Sequence, residues 1–199
     1  MSLMKTIFAY FKKNLNSSQP VVPDDIFKLP LKKSLEHRLP WLLLGMLGGI
    51  LAAKIIGSFE LVLKKNLILA AFIPLIVYMS DAVGTQLEAF IIRDLTVNPK
   101  FKFSRYFFKQ GQVLGLLALV ISLILYIITY FLYADLKFSL VLSVALFVAV
   151  FSSVLTGLLM PYLFSRFRFD PANASGPIAT VIQDILSVLI YFLVAGWWL

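Results

Sequence analysis

The sequence predicts an all-α membrane protein with five transmembrane helices, and three observations lead to this fold class. Hydrophobic residues make up 60% of the 199 residues and charged residues only 14%, whereas soluble domains have roughly 45–50% and about 25%. Such an excess of apolar surface has to face lipid. Long apolar stretches recur along the chain, and the alternating ten-residue runs typical of a transmembrane barrel do not occur.

Five stretches are long enough to cross roughly 30 Å of hydrocarbon, which takes about 20 mostly apolar helical residues. In order, these first to fifth spans are Leu39–Glu60, Leu67–Ile92, Val113–Tyr133, Phe138–Phe164 and Pro177–Leu199. The loops between them are short. Residues 39–199 are therefore predicted to form one five-helix transmembrane domain.

Residues 1–38 precede the first span and are expected to lie on the cytosolic side. Ile7, Phe8, Phe11 and Leu15 recur at helical spacing among lysines, which predicts an amphipathic helix on the inner leaflet. Residues 16–30 contain three prolines and two serines and are predicted to be a linker. A signal peptide is not indicated, because the apolar run is too short and no small-residue cleavage site follows it.

The distribution of Lys and Arg predicts the orientation of the spans. With the N-terminus in the cytoplasm, the inner side holds fourteen of these residues, against three outside and one within the first span. Basic residues accumulate in cytoplasmic loops, so the C-terminus is expected outside. The net charge of +8 therefore reflects topology and does not indicate nucleic-acid binding. A compact multi-pass chain without sorting signals suits a prokaryotic inner membrane.

Four ionisable residues lie within the spans: Lys54, Asp81, Glu88 and Asp184. Placing each of these side chains in the hydrocarbon layer costs at least about 2.5–3.5 kcal/mol, so each is a candidate functional residue. At 1.5 Å per helical residue, Glu88 lies roughly 6 Å, Asp184 roughly 10 Å and Asp81 roughly 16 Å from the inner end of its span. All three carboxylates are thus predicted in the inner half or the middle of the membrane.

The acids are combined with hydroxyl groups on shared helix faces. Asp81, Thr85 and Glu88 follow an i, i+4, i+7 pattern, and Thr180 and Asp184 follow an i, i+4 pattern, so each set shares one face. Carboxylates and hydroxyls are ligands that hard divalent cations prefer. The pattern predicts cation-binding groups on the second and fifth spans.

Three of the four ionisable residues could serve a purely structural purpose. Glu88 could pair with a Lys or Arg at the inner surface, Lys54 could extend its amine towards water or pair with a carboxylate, and Asp81 could cap a break in the second span. Asp184 has no basic residue in its own span and points most strongly to function. Gly176 and Pro177 could leave backbone carbonyls unpaired towards a cavity.

Small residues recur every three to four positions in the first span, and this spacing predicts close helix packing. The glycines concerned are Gly45, Gly48, Gly49 and Gly57, with Gly111 and Gly115 at the third span.

An enzyme is not expected. The chain has no cysteine and one histidine, His37, outside the spans, which excludes thiolate metal sites and argues against histidine-rich ones. An intramembrane enzyme would need a Ser–His pair, a zinc site or clustered aspartates. The sequence contains none of these patterns.

One motif leads to a resemblance. Residues 170–177 read Asp-Pro-Ala-Asn-Ala-Ser-Gly-Pro and are followed by Thr180 and Asp184. This stretch resembles the DPAxxSGPxxTxxxD signature in the transmembrane domain of the MgtE family of magnesium channels and transporters. Weaker similarities to the other helices of that domain occur at Arg38–Leu42, Gly48–Gly49, Ile56–Glu60, Pro74, Gly84, Gln86, Arg93 and Gly157–Pro161.

The resemblance implies a homodimer in the lipid bilayer, with a Mg²⁺ path along the subunit interface lined by the second and fifth helices. Asp184 would face its symmetry mate and hold a largely hydrated Mg²⁺, while carbonyls near Gly176 and the side chain of Thr180 would complete the site. Independently of the resemblance, Asp81 and Glu88 are predicted to be further metal ligands, because they lie on the polar face of the second span and carboxylates are ligands that hard divalent cations prefer. The same fold acting on Mn²⁺, Co²⁺ or Ca²⁺, or as a Na⁺- or H⁺-coupled Mg²⁺ exchanger, stays an alternative.

Three departures from the family pattern stand out. Ser80-Asp81-Ala82 replaces the usual Gly-Gly-Asn, which adds an acid, and Gln110 stands where an acid is often found at the start of the third helix. The cytosolic N and CBS regulatory domains of many members have no counterpart in these 199 residues. Gating is therefore expected from the transmembrane domain or from the short N-terminal helix.

Overall fold

The computed structural model describes residues 27, 29–98, 102–167 and 171–198, with side chains described throughout except at 171–174. The predicted N-terminal amphipathic helix and most of the predicted linker lie outside the described residues.

The described chain is almost entirely helical. Its elements are α1 (Leu31–Ser58), α2 (Glu60–Lys65), α3 (Ile68–Val97), α4 (Phe103–Tyr133), α5 (Leu136–Val154), a π-helical turn (Leu155–Leu159), α6 (Met160–Arg166) and α7 (Pro171–Trp198). Helices α1, α3, α4, the continuous α5–α6 segment and α7 are each long and apolar enough to cross a membrane. The predicted fold class, an all-α protein with five transmembrane helices, is confirmed.

The helices extend beyond the apolar stretches that predicted them. Helix α1 begins at Leu31 instead of Leu39, and α4 begins at Phe103 instead of Val113. Hydropathy marks only the part of a helix in hydrocarbon, whereas backbone hydrogen bonding continues into the polar headgroup layer. Residues 31–38, predicted to precede the transmembrane domain, thus belong to its first helix.

Helix α5 occupies the centre of the bundle. It packs against α3, α4 and α7, while α1 packs against α7 and α4 contacts mainly α5. Leu142, Leu146 and Val150 of α5 are fully buried. In contrast, α1 and α4 carry rows of exposed leucines, isoleucines and valines, which are the faces expected to meet lipid.

Glycines permit two close approaches between helices. A Cβ atom on Gly157 would lie 2.5 Å from the carbonyl oxygen of Gly84, and one on Gly48 would lie 2.1 Å from Cγ1 of Val181. The first contact joins the π-helical turn to α3 and the second joins α1 to α7. A Cβ on Gly49 would meet nothing within 4 Å, so only part of the predicted small-residue stripe mediates packing.

The π-helical turn interrupts α5–α6 in the bundle interior. It contains the buried residues Thr156 and Gly157 and is followed by Pro161. Because proline has no N–H, the carbonyl four residues earlier loses its usual donor, and such a turn accommodates one extra residue. The turn brings Thr156 towards α7 and Gly157 towards α3.

Candidate functional site

The three predicted carboxylates lie along the contact between α3 and α7. Asp81 and Glu88 are on α3 and Asp184 is on α7. The hydroxyl of Thr180 donates a hydrogen bond to Asp81 and so links the two helices. Asp81 also interacts electrostatically with both Asp184 and Glu88. The carboxylates therefore form a row with Asp81 in the middle.

The row changes from partly buried to buried along its length. Asp184, Asp81 and Thr180 are partly buried, whereas Glu88 is only 8% exposed. The fully buried hydroxyl of Ser175 donates a hydrogen bond to Oε1 of Glu88. Gly176 lies beside them, since a Cβ there would be 3.8 Å from the same oxygen. Glu88 thus packs against the beginning of α7.

Both acid-bearing helices are continuous at the site. Helix α3 runs unbroken past Asp81, so Asp81 does not cap a helix end. Helix α7 continues through Gly176 and Pro177. Pro177 leaves the carbonyl of residue 173 without its usual donor, but the helix does not open at Gly176.

The polar stripe on α3 lies at the edge of its contact with α7. Glu88 is buried, while Thr85, on the same face, is exposed, so the row of acids is open on one side. Lys54 is exposed on α1 and forms no ion pair with a described residue, and the ion pairs between described residues do not include Glu88. The alternative of a cationic partner for Glu88 has no support in the described ranges.

Comparison with protein families identifies the family of the chain. A family model described as MgtE, divalent cation transporter, matches residues 73–194, which is more than half of the chain and includes every predicted site residue. The chain belongs to the MgtE family. The resemblance inferred from the motif at residues 170–177 is therefore confirmed.

Three curated MgtE relatives are similar to this chain, each named magnesium transporter MgtE. The Bacillus subtilis protein is 33% identical over 161 residues, covering 80% of this chain and 36% of the relative. The Enterococcus faecalis protein is 32% identical over 182 residues, covering 87% and 38%. The Thermus thermophilus protein is 32% identical over 160 residues, covering 79% and 35%. The chain thus spans somewhat more than a third of the length of these MgtE proteins.

Gln110, which stands where the resemblance led us to expect an acid, lies in a different polar group. It hydrogen-bonds the hydroxyl of Tyr106, and that hydroxyl donates to Oδ2 of Asp94 over 2.9 Å. Asp94 also pairs with Arg93 over 3.0 Å. This group joins α3 to α4 and includes none of the acids in the row.

Sequence reasoning missed a second polar group on α7. Gln183, which directly precedes Asp184, is 1% exposed and hydrogen-bonds residues of α5 and of the π-helical turn. The signal in the sequence was the rarity of an amide within an apolar span, because burying it demands several hydrogen-bond partners. Ser187, one turn later on the same face, strengthens that signal.

Among the described residues, no three His, Cys, Asp or Glu side chains cluster closely enough to form a metal site within one chain. The acids are instead spaced along α3 and α7. Such spacing offers a cation one or two carboxylates at a time.

Proposed function

We propose that two copies of this chain transport Mg²⁺ across the membrane along the row of acids between α3 and α7, with Asp184 as the central ligand. The observation that carries the proposal is the packing of α3 against α7, which brings the three acids together. Asp81 of α3 is hydrogen-bonded by Thr180, one turn before Asp184 on α7. Glu88, two turns further along α3, is hydrogen-bonded by Ser175 of α7. The row lies within segments long and apolar enough to cross a membrane. Membership of a family of divalent cation transporters supports the same conclusion.

The chemistry of the row suits Mg²⁺. This ion gives up its water reluctantly and is commonly bound through one or two carboxylates while it keeps several waters. Asp184 and Asp81 are only partly buried, so carboxylate oxygens stay accessible to a hydrated ion. Carboxylates in an apolar segment are costly without a counter-charge, and a passing cation supplies one.

The residues divide into successive positions along the path. Asp184 binds the ion first when it comes from the C-terminal end of α7, and Asp81 with Thr180 forms the next position. Glu88 and the backbone near Gly176 form the inner position. Conduction requires sites that bind well enough to admit an ion and weakly enough to release it, and several carboxylates in sequence meet both needs.

A homodimer completes the path. The row of acids is open on the side of Thr85, which is exposed on α3. A two-fold axis along this side would bring each acid towards its symmetry mate and supply two carboxylates from one position. With the N-terminus in the cytoplasm, the buried Glu88 end of the row faces inwards.

The transport proposal is tested by Mg²⁺ flux into proteoliposomes containing an internal Mg²⁺ indicator. Asp184→Ala and the nearly isosteric Asp184→Asn are each expected to abolish the flux. Glu60→Gln is the matched control, because it removes the same charge from a residue whose side chain is 66% exposed and paired with Lys64. Flux in Asp184→Ala equal to that of the unmodified chain would reject the central role of Asp184.

Imposed gradients separate the two modes of transport. The extra acid Asp81 beside Thr180 favours, as a second candidate, coupling to Na⁺ or H⁺. Mg²⁺ flux that follows an imposed Na⁺ or pH gradient identifies an exchanger. Flux that ignores both gradients identifies a channel-like path.

The dimer is tested by cross-linking, because the chain has no cysteine of its own. Thr85→Cys places one thiol on the open side of the row, and oxidation is expected to give a disulfide-linked band at twice the mass. Leu123→Cys, on the exposed face of α4, is the control and should stay monomeric. A cross-link only in Leu123→Cys would contradict the proposed interface.

A further inference from the structure

Helix α7 carries a second polar face beside its acid, and this face is directed into the protein. We propose that Gln183 is a positioning residue: its buried hydrogen bonds fix the rotation of α7 and thereby the direction of Asp184 in the cation path. The inference rests on the proposed function, since it concerns the same carboxylate.

The side chain of Gln183 is 1% exposed, and both of its polar atoms have partners. Its Oε1 accepts a hydrogen bond of 2.6 Å from Thr156. Its Nε2 lies 3.1 Å from the carbonyl oxygen of Ala149, 3.2 Å from Oγ of Ser152 and 3.1 Å from Oγ of Ser187. A fully satisfied buried network of this kind is rigid and favours one arrangement of its helices.

The partners of Gln183 outside α7 lie on the central helix of the bundle and on the turn that follows it. Ala149 and Ser152 are in the last turns of α5, and Thr156 is in the π-helical turn that follows. Helix α5 is packed on several sides by other helices. Single π-helical turns within α-helices are rare and frequently occur at functional sites. Here the turn places a buried hydroxyl opposite the amide.

The network extends to the other acid-bearing helix. The hydroxyls of Ser187 on α7 and Ser80 on α3 lie 2.6 Å apart, and Ser80 directly precedes Asp81. Gly84, one turn further along α3, packs its carbonyl against Gly157 of the π-helical turn. Both acid-bearing helices are therefore fixed against the same stretch of α5 and the π-helical turn, and that stretch itself carries no acid.

The geometry of the helix links these bonds to the acid. Consecutive helical residues project about 100° apart, since a turn takes 3.6 residues, so Asp184 points sideways from Gln183. Any rotation of α7 that moves Asp184 must break the hydrogen bonds of Gln183. Apolar contacts lack this directional restraint, because the hydrophobic effect is non-directional.

Gln183→Met is the variant that tests the inference. Methionine matches glutamine in length but removes the amide. The hydroxyls left behind at Ser187 and Ser152 donate to a carbonyl of their own helical segment. The hydroxyl of Thr156 can turn to the carbonyl of Ser153 at 3.3 Å, so the fold is expected to survive.

Removing a group that orients a metal ligand typically weakens metal binding or activity by 10- to 100-fold. We expect the apparent KM for Mg²⁺ flux to rise about tenfold. This is the lower end of that range, because Gln183 acts on Asp184 through the backbone of α7. The maximal rate should change less than the KM, and discrimination against Ca²⁺ should weaken.

Tyr191→Phe is the matched control. The buried hydroxyl of Tyr191 on α7 donates to the carbonyl of Leu69 on α3 over 2.8 Å. Its loss also removes a buried bond between α7 and a neighbouring helix, but one away from the acids, so the KM and the selectivity should stay unchanged. Thr156→Val, which removes only the donor to Oε1 of Gln183, should reproduce the KM change. The Thr156→Val, Gln183→Met double variant should add little to it.

An unchanged KM and selectivity in Gln183→Met would overturn the inference. An equal KM rise in Tyr191→Phe would also overturn it, because it would mean that any loosening of α7 has the same effect. If Gln183→Met does not fold, the KM and selectivity of Thr156→Val decide the question. Loss of flux in Asp184→Ala with an unchanged Gln183→Met would reject the inference alone, whereas unchanged flux in Asp184→Ala would reject the proposed function.

Discussion

Polar side chains on two faces of α7 differ in burial and in their partners. On the face towards α5, Gln183 and Ser187 are buried and their polar atoms are satisfied within the chain. On the face with Thr180 and Asp184, the side chains are partly buried and the nearby acid, Asp81, is a like charge. A satisfied polar group holds helices together, while a carboxylate facing another carboxylate favours binding of a cation. Adjacent residues of one helix thus lie in opposite electrostatic environments.

The largest effect is expected from Gly157→Ala, which disrupts the packing of the π-helical turn that holds Thr156 opposite Gln183. The added Cβ would meet backbone, the carbonyl of Gly84, at 2.5 Å, and backbone on a packed helix moves little. We expect a loss of about 3 kcal/mol, at the upper end for overpacking, measured as a lower thermal unfolding temperature in detergent. Gly111→Ala is the control, because its Cβ would be at an ordinary 4.0 Å from Val154. Equal effects of the two substitutions would contradict a role for close packing at Gly157.

The acid face is tested by Asp81→Asn, which removes the charge and keeps the shape. Thr180 can still donate to the remaining carbonyl oxygen, so folding should be unaffected. The apparent KM for Mg²⁺ should rise about tenfold, equivalent to about 1.4 kcal/mol of binding, and less flux should be lost than in Asp184→Ala. Ser143→Ala, a buried hydroxyl on α5 bonded only to its own helix at Ser139, should leave the KM unchanged. An unaltered KM in Asp81→Asn would mean that the carboxylate of Asp81 does not bind the transported ion.

The third face of α7, towards α1, is apolar and should affect stability alone. Gly48→Ala would place a Cβ 2.1 Å from Cγ1 of Val181, whereas Gly49→Ala meets nothing within 4 Å. We expect Gly48→Ala to lower the stability by about 1 kcal/mol and Gly49→Ala to be neutral or slightly stabilising. Adding Val181→Ala should relieve the clash. A failure of the double variant to recover in thermal unfolding would exclude this contact as the cause.

The smallest effect is expected for Glu88→Gln. Glu88 already accepts a hydrogen bond from Ser175 and is buried, so it has less freedom to bind an ion than Asp81. Glutamine can keep the bond to Ser175 through its carbonyl oxygen. The KM should rise only about threefold, or about 0.6 kcal/mol, in the flux assay. A KM rise larger than that of Asp81→Asn would mean that Glu88 contributes more to Mg²⁺ binding than Asp81 does.

Most residues of the candidate site could be proposed from residue type alone. Asp81, Glu88 and Asp184 were recognisable because acids are costly in apolar spans, and the motif at residues 170–177 indicated the family. Gln183 was not recognised, because an uncharged side chain at helical spacing does not reveal which neighbouring helix it meets. The bond between Glu88 and Ser175 was equally hidden, since the two residues are 87 positions apart.

The sequence by itself determined the five apolar helices, because hydrocarbon thickness and backbone hydrogen bonding leave a chain of this composition few other folds. It also determined which residues are expensive in the membrane. Only the tertiary structure decided which polar side chains of α7 are buried against α5 and which lie beside the acids of α3. That division depends on helix rotation, which follows from contacts such as that between Gly157 and Gly84 and from the π-helical turn. These are relations between distant parts of the chain, and no local pattern encodes them.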